Sequence, residues 1–537
     1  MNRAEQIGYP LALGLFVLGY FLNLGVQPLY LEEPRRVMVA LEMIFNGNPW
    51  VPTQLGEPYY NKPPLYNWMI NASAWVLGAH SEWAVRLPTV LSNLGMGALM
   101  FFIVRRYLNR QAAWLTLLFF FSSSGLLLYF SMLAEIDLFY SLLTLAGMLA
   151  VFHFEQRERY AWLFTLAYGL GALGFLTKGI PSVLFTGLTV VGWLGYRRKW
   201  KLLWSGYHLL GMLLFALIVG GYYYIYAQYE DPAPFLARLF TESSDRLLVE
   251  NPVVRLLAHL FTFPLHIVKD LLPGSILMVY LLRKDLWQVL RQYPLMAFAV
   301  VAVLVNLPPY WLSPDARLRY IYMLYPLLLL ILVVAWQRRS SLARLWRDRL
   351  LGAILLGVHA VLPLAALALL WVEDMQFLPG LLPVCTGFAL GFGLLAFLRF
   401  RRPAWQWPLF FIAMAGVRLY FDLTILPQRA HDSNAQVERD AAQEIAQLVP
   451  AQDTIRVLAD SSVSYILLVY LKKQRNQPVI QTPKELPDQY YLLHASEIHP
   501  ADHIIYEVHE GPGRVGLRPP KQASSFAKPI EPEQNRR

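Results

Sequence analysis

Glu32 and Glu33 directly follow the first long apolar run of the chain and lead into Pro34, Arg35 and Arg36. Lys62 sits in Tyr59-Tyr60-Asn61-Lys62-Pro63-Pro64, and Lys178 in the short turn Thr177-Lys178-Gly179 between two apolar runs. Glu135 and Asp137 open another run, Arg317 and Arg319 precede a later one, and Glu242, Asp245 and Arg246 lie in a mixed polar stretch. Carboxylates and cations gathered at a bilayer surface suit one kind of chemistry. Lys or Arg holds a lipid phosphate while a carboxylate takes a proton from a nucleophile. Charges near hydrocarbon are costly, so a functional reading is the default. Plainer readings stand beside it for each residue taken alone. Glu32 and Glu33 also suit a helix cap, Asp137 a complement to a helix dipole, and Lys62 an interfacial snorkelling role. Arg317 and Arg319 also suit plain loop charges. Lys178 is the least easily explained away, because it falls at a helix end where cations are disfavoured by topology. His259 and His266, seven apart with no carboxylate between them, fit no metal-ligand spacing and read as structural.

These residues need elements to hold them, and the composition says which. The chain has 537 residues, 56% hydrophobic and 15% charged, with mean hydropathy +0.39, too apolar for an ordinary soluble domain. A net charge of +10 falls in short clusters between apolar runs, a topological pattern that gives no face for nucleic acid. The single Cys385 excludes an internal disulfide. Apolar segments long enough for spans fall at roughly 8–27, 86–104, 112–131, 137–153, 161–176, 180–195, 207–227, 263–282, 294–311, 320–336, 350–372, 379–398 and 405–425, about thirteen in all. The first run carries no cleavage signature and reads as an uncleaved span. Lys/Arg clusters follow every even-numbered span, which places the N-terminus and these clusters in the cytoplasm and everything after about Ile425 outside. The chemistry-bearing residues then share the outer face.

The expected fold is an all-α polytopic membrane protein with a small C-terminal α/β extracytoplasmic domain. Its membrane domain covers 1–427, with outer loops at 28–85 and 228–262. The first loop carries a helical stretch from Arg35 to Phe45, and the second, with Glu242 and Arg246, has the composition of a lid. The soluble domain covers 428–518, with a helix at Asn434 to Leu448, a strand at Thr454 to Ala459 and an amphipathic helix at Ser462 to Lys473. Residues 519–537 read as a disordered tail. No internal repeat is visible.

The order Glu32-Glu33-Pro34-Arg35-Arg36, the run Gly56-Glu57-Pro58-Tyr59-Tyr60-Asn61-Lys62-Pro63-Pro64 and the segment Glu82-Trp83-Ala84-Val85-Arg86-Leu87-Pro88 resemble the GT-C glycosyltransferases. The likeness is closest to the aminoarabinose lipid A transferase and protein O-mannosyltransferase-like group. Thr177-Lys178-Gly179 and the stretch from Ser313 to Pro326 resemble later motifs of that group. The resemblance implies a GT-C fold and an inverting transfer of a sugar from a polyprenyl-phosphate donor to a glycolipid or protein acceptor, at the outer face of the cytoplasmic (inner) membrane. It implies Glu32 as general base, with Glu33 beside it and Asp137 positioning a substrate amine or hydroxyl. Arg35 and Lys62, joined by Lys178, Arg317 and Arg319, would hold the donor phosphate. Two departures stand out: Glu32 replaces the Asp of the family pattern, and Asn61 replaces an acid before the lysine. An amide is a poor partner for a divalent ion, so no cofactor or metal is expected.

Two other classes compete with the enzyme. A lipid or oligosaccharide transporter or flippase would spread its charges along span interiors, and a membrane scaffold would place no demand on Glu32, Lys62 or Lys178.

Overall fold

Lipid offers the backbone no hydrogen-bond partner, so each apolar segment must close its own bonds as helix. The computed structural model, which describes residues 1–245, 252–338, 344–510 and 513–520, places helix at least partly over all thirteen expected segments. In chain order the helices begin with α1 (Arg3–Phe21), α2 (Glu33–Phe45), α3 (Leu65–Leu77), α4 (Glu82–Tyr107), α5 (Arg110–Ser122), α6 (Ser124–Leu128), α7 (Ile136–Glu155) and α8 (Tyr160–Lys178). Then come α9 (Pro181–Tyr196), α10 (Gly206–Tyr226), α11 (Pro232–Asp245), α12 (Pro252–Asp270), α13 (Leu286–Arg291), α14 (Pro294–Asn306), α15 (Pro308–Trp311) and α16 (Tyr325–Gln337). The chain continues with α17 (Arg344–Ala368), α18 (Leu381–Arg401), α19 (Gln406–Leu423), α20 (Ile425–His431), α21 (Asn434–Leu448) and α22 (Tyr465–Arg475).

Among the described residues nine helical stretches are long and apolar enough to cross a membrane, or ten when the bent pair Val254–Asp270 and Gly274–Leu281 counts as one. The thirteen expected spans therefore include some that are short or broken. The segment 112–131 is α5, of 13 residues, followed by the separate short helix α6. The segment 263–282 turns by 120° at a break containing Pro273, which has no N–H to continue a helix. α9 has 16 residues, and α1 carries Arg3 and Glu5 in its first turn.

The chain divides into two units. The first holds Met1–Leu24, Asn61–Tyr66 and Arg86–Gln428. Its most buried spans are Ile136–Glu155, 78% buried, and Leu318–Gln337, 72% buried. These two therefore form its inner column, whereas Trp346–Trp371 and Leu381–Arg401, each 17% buried, keep most of their surface for lipid.

The second unit holds Gly25–Tyr60, Asn67–Val85 and the chain from Arg429 onward. Most of the first outer loop, assigned from sequence to the membrane domain, thus packs with the C-terminal residues, because its acidic side chains meet the cations of α22. A five-stranded sheet of order β4-β3-β5-β7-β6 is built from β3 (Ile455–Leu458), β4 (Ile480–Thr482), β5 (Tyr490–His494), β6 (Tyr506–Glu510) and β7 (Gly513–Arg518). β3 runs parallel to β4 and β5, and β5, β7 and β6 are antiparallel. α21 spans the expected residues. α22 starts at Tyr465 and not at the expected Ser462, because Ser464 provides the cap, its hydroxyl accepting the Ile466 amide at 3.1 Å. It stops at Asn476, which lies in the left-handed region. Residues 521–537 of the expected tail lie outside the described residues.

α22 packs on α21 and on α2, so it is buried on opposite sides and even encloses a lysine. Lys472 pairs with Glu42 of α2, the side chains 0% and 1% exposed. Burial pulls the Lys472 ammonium below the usual lysine range, and Glu42 opposes that shift. Glu42 also accepts the amides of Leu55 at 2.6 Å and Gly56 at 3.1 Å. These two residues form the turn of a hairpin between β1 (Thr53–Gln54) and β2 (Glu57–Pro58). Both have positive φ, +56° and +87°, as two-residue hairpin turns require. Removing one member of a buried ion pair strands the other. Lys472→Met is expected to destabilise the second unit by about 3–5 kcal/mol. Lys473→Met leaves the buried Glu82 carboxylate still bound by the Tyr470 hydroxyl and is expected to cost less than Lys472→Met. Chemical denaturation of the detergent-solubilised protein measures both, and equal effects contradict the assignment.

Candidate functional site

Two antiparallel neighbours bring the first group of charged residues together. α7 begins at Ile136 with Glu135 as its N-cap residue and Asp137 in its first turn. α8 ends with Lys178 in its last turn and is stopped by Gly179 at φ +78°. An acid at a helix N-terminus and a cation at a C-terminus each complement the helix dipole. A short connection folds the two ends side by side. Lys178 Nζ lies 2.5 Å from Asp137 Oδ1, both side chains only 6–7% exposed. The span Leu318–Gln337 delivers Arg319 to the same place. Its guanidinium pairs with Glu135 through Nη1 and approaches Asp137 Oδ2 with Nε at 3.5 Å. Tyr320 caps the group, its ring centroid 4.2 Å from Lys178 Nζ, and Tyr140 flanks it at 5.1 Å.

Two carboxylates face two cations, so this buried group is neutral as it stands. Arg317, two residues away, is exposed. Lys62 is half-buried and belongs to the same unit. The residues after it reach the acid group: Tyr66 shares a 2.8 Å hydrogen bond with Thr89, whose hydroxyl donates to the Glu135 carbonyl at 3.4 Å. α11 of the second outer loop lies over the Lys178 turn. A Cβ on Gly179 would meet Leu239 at 3.1 Å, and Arg238 Nε donates to Asn61 at 3.3 Å. Glu242 falls in α11, and Arg246 lies outside the described residues.

The segment that presents Glu135 and Asp137 is irregular, running through α6 and a 3-10 turn at Phe130–Met132. Irregular backbone at membrane depth must find partners within the protein. Arg418 of α19, fully buried, donates to the Leu127 carbonyl and to Ser131 Oγ at 3.1 Å. Asp422 one turn later balances it at 2.8 Å.

The second group of predicted residues lies in the other unit. Leu31 adopts φ +58°, turning the chain into α2, whose start is fixed by Pro34. Glu32 and Arg35 pair at 3.0 Å with side chains 35% and 32% exposed. Glu33 is 0% exposed and accepts the Tyr30 amide at 3.2 Å. Of the two adjacent acids, only Glu32 remains open to a reactant. Arg36 donates to the Tyr59 hydroxyl at 3.0 Å, so the Glu-Glu-Pro-Arg-Arg motif is tied to the first tyrosine of the Tyr59-Tyr60 pair.

Tyr320 and Tyr140 complete the first group although sequence reasoning gave them no role, and Glu135, singled out there with Asp137 at the head of a span, joins it without having been assigned an individual one. The one signal for Glu135 is its place two residues before Asp137, across a helix start. His259 packs against Phe263 with ring centroids 4.6 Å apart and ring planes tilted by 31°, and approaches the Tyr310 carbonyl at 3.3 Å, a structural setting. Among the described residues no three His, Cys, Asp or Glu side chains converge as a metal site.

Known proteins resemble this chain over part or most of its length. The family described as dolichyl-phosphate-mannose-protein mannosyltransferase matches residues 61–224. The chain is 31% identical over 198 residues to the undecaprenyl phosphate-alpha-4-amino-4-deoxy-L-arabinose arabinosyl transferase of Shewanella sediminis, covering 34% of each chain. It is 26% identical over 463 residues to the enzyme of the same name from Aeromonas salmonicida, covering 80% of this chain and 81% of that one. The match thus spans about a third of the Shewanella relative's length and most of the Aeromonas relative's. Crystal structures of ArnT from Cupriavidus metallidurans superpose with TM-scores of 0.72 in the apo state, covering 97% and 99% of the two chains, and 0.70 with undecaprenyl phosphate bound, covering 95% and 97%, at 19% and 18% identity. The fold is therefore the GT-C fold of ArnT, and the resemblance read from the motifs holds.

Arg319→Met leaves Glu135 and Asp137 to a single lysine, with an expected cost of about 3–5 kcal/mol. Arg319→Lys is expected to recover only part of this, because one ammonium cannot replace a planar fork reaching two carboxylates. Thermal unfolding in detergent ranks the three proteins, and a Lys variant as stable as wild type defeats this account of the fork.

Proposed function

We propose that this chain is an inverting glycosyltransferase of the inner membrane that moves a sugar from a polyprenyl-phosphate donor to a glycolipid acceptor at the periplasmic face. Following the names of its relatives, the donor is undecaprenyl phosphate-linked 4-amino-4-deoxy-L-arabinose. One observation carries the reading: the buried group of Glu135, Asp137, Lys178 and Arg319 sits at the head of the two most buried spans within an ArnT-like fold. Charges gathered there, and not strung along span interiors, favour a transferase over a transporter. The Lys/Arg clusters after alternate spans support the orientation, with the C-terminal domain in the periplasm.

In the reaction the acceptor oxygen attacks the anomeric carbon from the face opposite the leaving phosphate. The new C–O bond forms as the old one breaks, and the configuration inverts. Glu32 takes the proton of an acceptor hydroxyl, its carboxylate, about one-third exposed, being open to a reactant. The departing polyprenyl phosphate carries the electron pair. Lys62 and Arg317 bind its charge, Lys178 and Arg319 add to the positive field, and Arg35 holds the Glu32 carboxylate. Asp137 and Glu135 can receive the ammonium of an amino sugar, an exchange that would leave Lys178 and Arg319 freer to face phosphate. No metal is required in this scheme, because cationic side chains supply the charge a divalent ion would bring.

Purified protein in vesicles, given donor and lipid acceptor and followed by mass spectrometry of the lipids, tests the scheme. Glu32→Gln is expected to lower kcat by about 10²–10⁴-fold while leaving thermal stability unchanged. Transfer at the wild-type rate by this variant excludes Glu32 as the base. Chelation of divalent ions with EDTA is expected to leave the rate unchanged, and a loss restored by one added metal would overturn the metal-free scheme.

A further inference from the structure

The C-terminal domain meets the catalytic loop at two places within the second unit. At the hairpin, the Gln481 amide of β4 donates to the Leu55 carbonyl at 2.9 Å. Along α2, the contacts come from α22. Tyr470 accepts the Leu29 amide at 2.8 Å and donates to Glu82 at 2.8 Å. Lys472 pairs with Glu42 in the buried core, and Lys473 holds Glu82 at 3.0 Å. These contacts fix the chain just before α2 and two turns into it. A further contact is made by Tyr465, the first residue of α22, whose ring lies 5.3 Å from the Arg35 guanidinium.

This last contact does little for stability. Tyr465 is 37% exposed, and the Arg35–Glu32 pair that it touches is about one-third exposed on each side. An exposed pair three residues apart on a helix holds its geometry weakly. A ring face on the guanidinium restricts the arginine rotamer. The contacts of Tyr470, Lys472 and Lys473 fix the backbone that presents the ring.

We propose that Tyr465 is a positioning residue: its ring orients Arg35, and through the Arg35–Glu32 ion pair it orients the carboxylate that takes the acceptor proton. The soluble domain is then a splint for the catalytic helix, a role separate from docking the acceptor. The proposal rests on the function proposed above, and on Glu32 and Arg35 as its participants.

Transfer rates are measured in vesicles for wild type, Tyr465→Phe, Tyr465→Leu and a series with mono-, di- and trifluorinated phenylalanine at position 465. Thermal unfolding is followed in parallel. Tyr465→Phe keeps the ring face and is expected to match wild type. Tyr465→Leu is expected to lower kcat/KM for the donor roughly three- to tenfold with unchanged melting temperature and unchanged acceptor KM. The logarithm of the rate is expected to fall stepwise with each fluorine, because fluorine drains the negative face that attracts the cation. A merely packed ring would give no such gradient. A flat fluorine series, a loss that follows melting temperature, or a rise confined to acceptor KM overturns the proposal. Glu32→Gln in the same assay separates the two failures: an impaired Glu32→Gln beside a flat series removes only the role of Tyr465, whereas an unimpaired Glu32→Gln removes the function on which it rests.

Discussion

A carboxylate close to hydrocarbon is tolerable only when cations reach it, and Asp137 organises the membrane unit around that requirement. Its partners come from two other elements, Lys178 from the end of α8 and Arg319 from the start of the span Leu318–Gln337. Three helix ends far apart in sequence must meet at one point for the group to be neutral. That constraint sets the pairing of α7 with α8 and draws the two most buried spans to the centre of the unit. It also explains the buried Arg418: the broken segment that carries Glu135 cannot satisfy its own carbonyls, and a guanidinium with its own counter-ion supplies the missing donors.

The second unit solves a different problem. In the proposed scheme the general base must stay accessible, so Glu32 cannot be fixed by burial as Glu33 is. The surrounding chain is made rigid instead. Leu31 takes a left-handed turn, Arg36 locks onto Tyr59, and Glu42 binds both a hairpin turn and the buried Lys472. Buried polar groups with complete partners specify geometry where apolar packing would permit sliding. The small sheet domain contributes by presenting α22, whose apolar residues anchor it and whose Tyr and Lys side chains reach outward.

In the transferase reading the membrane unit supplies cations and acids suited to a charged sugar phosphate. That set is balanced in charge before substrate arrives, so substrate charge has to exchange with existing partners. Such exchange favours ligands carrying both signs, as an amino sugar on a phosphate does.

Much of this was readable without coordinates. Apolar runs of span length mark a polytopic membrane protein, because lipid permits little besides helix, and Lys/Arg clusters in alternate loops support the orientation proposed for it, because charge sorting is local in sequence. Helix α21 and strand β3 followed from the periodicity of their apolar residues for the same local reason. The candidate acids and cations stood out because charge beside hydrocarbon is rare. What only the tertiary structure decided was which charge meets which. Asp137 and Lys178 are 41 residues apart and Arg319 is 184 from Glu135, and nothing in local pattern encodes such pairings. Nor could spacing separate Glu32 from Glu33, or show that most of the first loop packs with the C-terminal domain. Those outcomes depend on burial, which is a property of surfaces brought together by folding. The span count drifted for a related reason: hydropathy measures how apolar a segment is, whereas a break such as that at Pro273 depends on where the backbone finds its next partner.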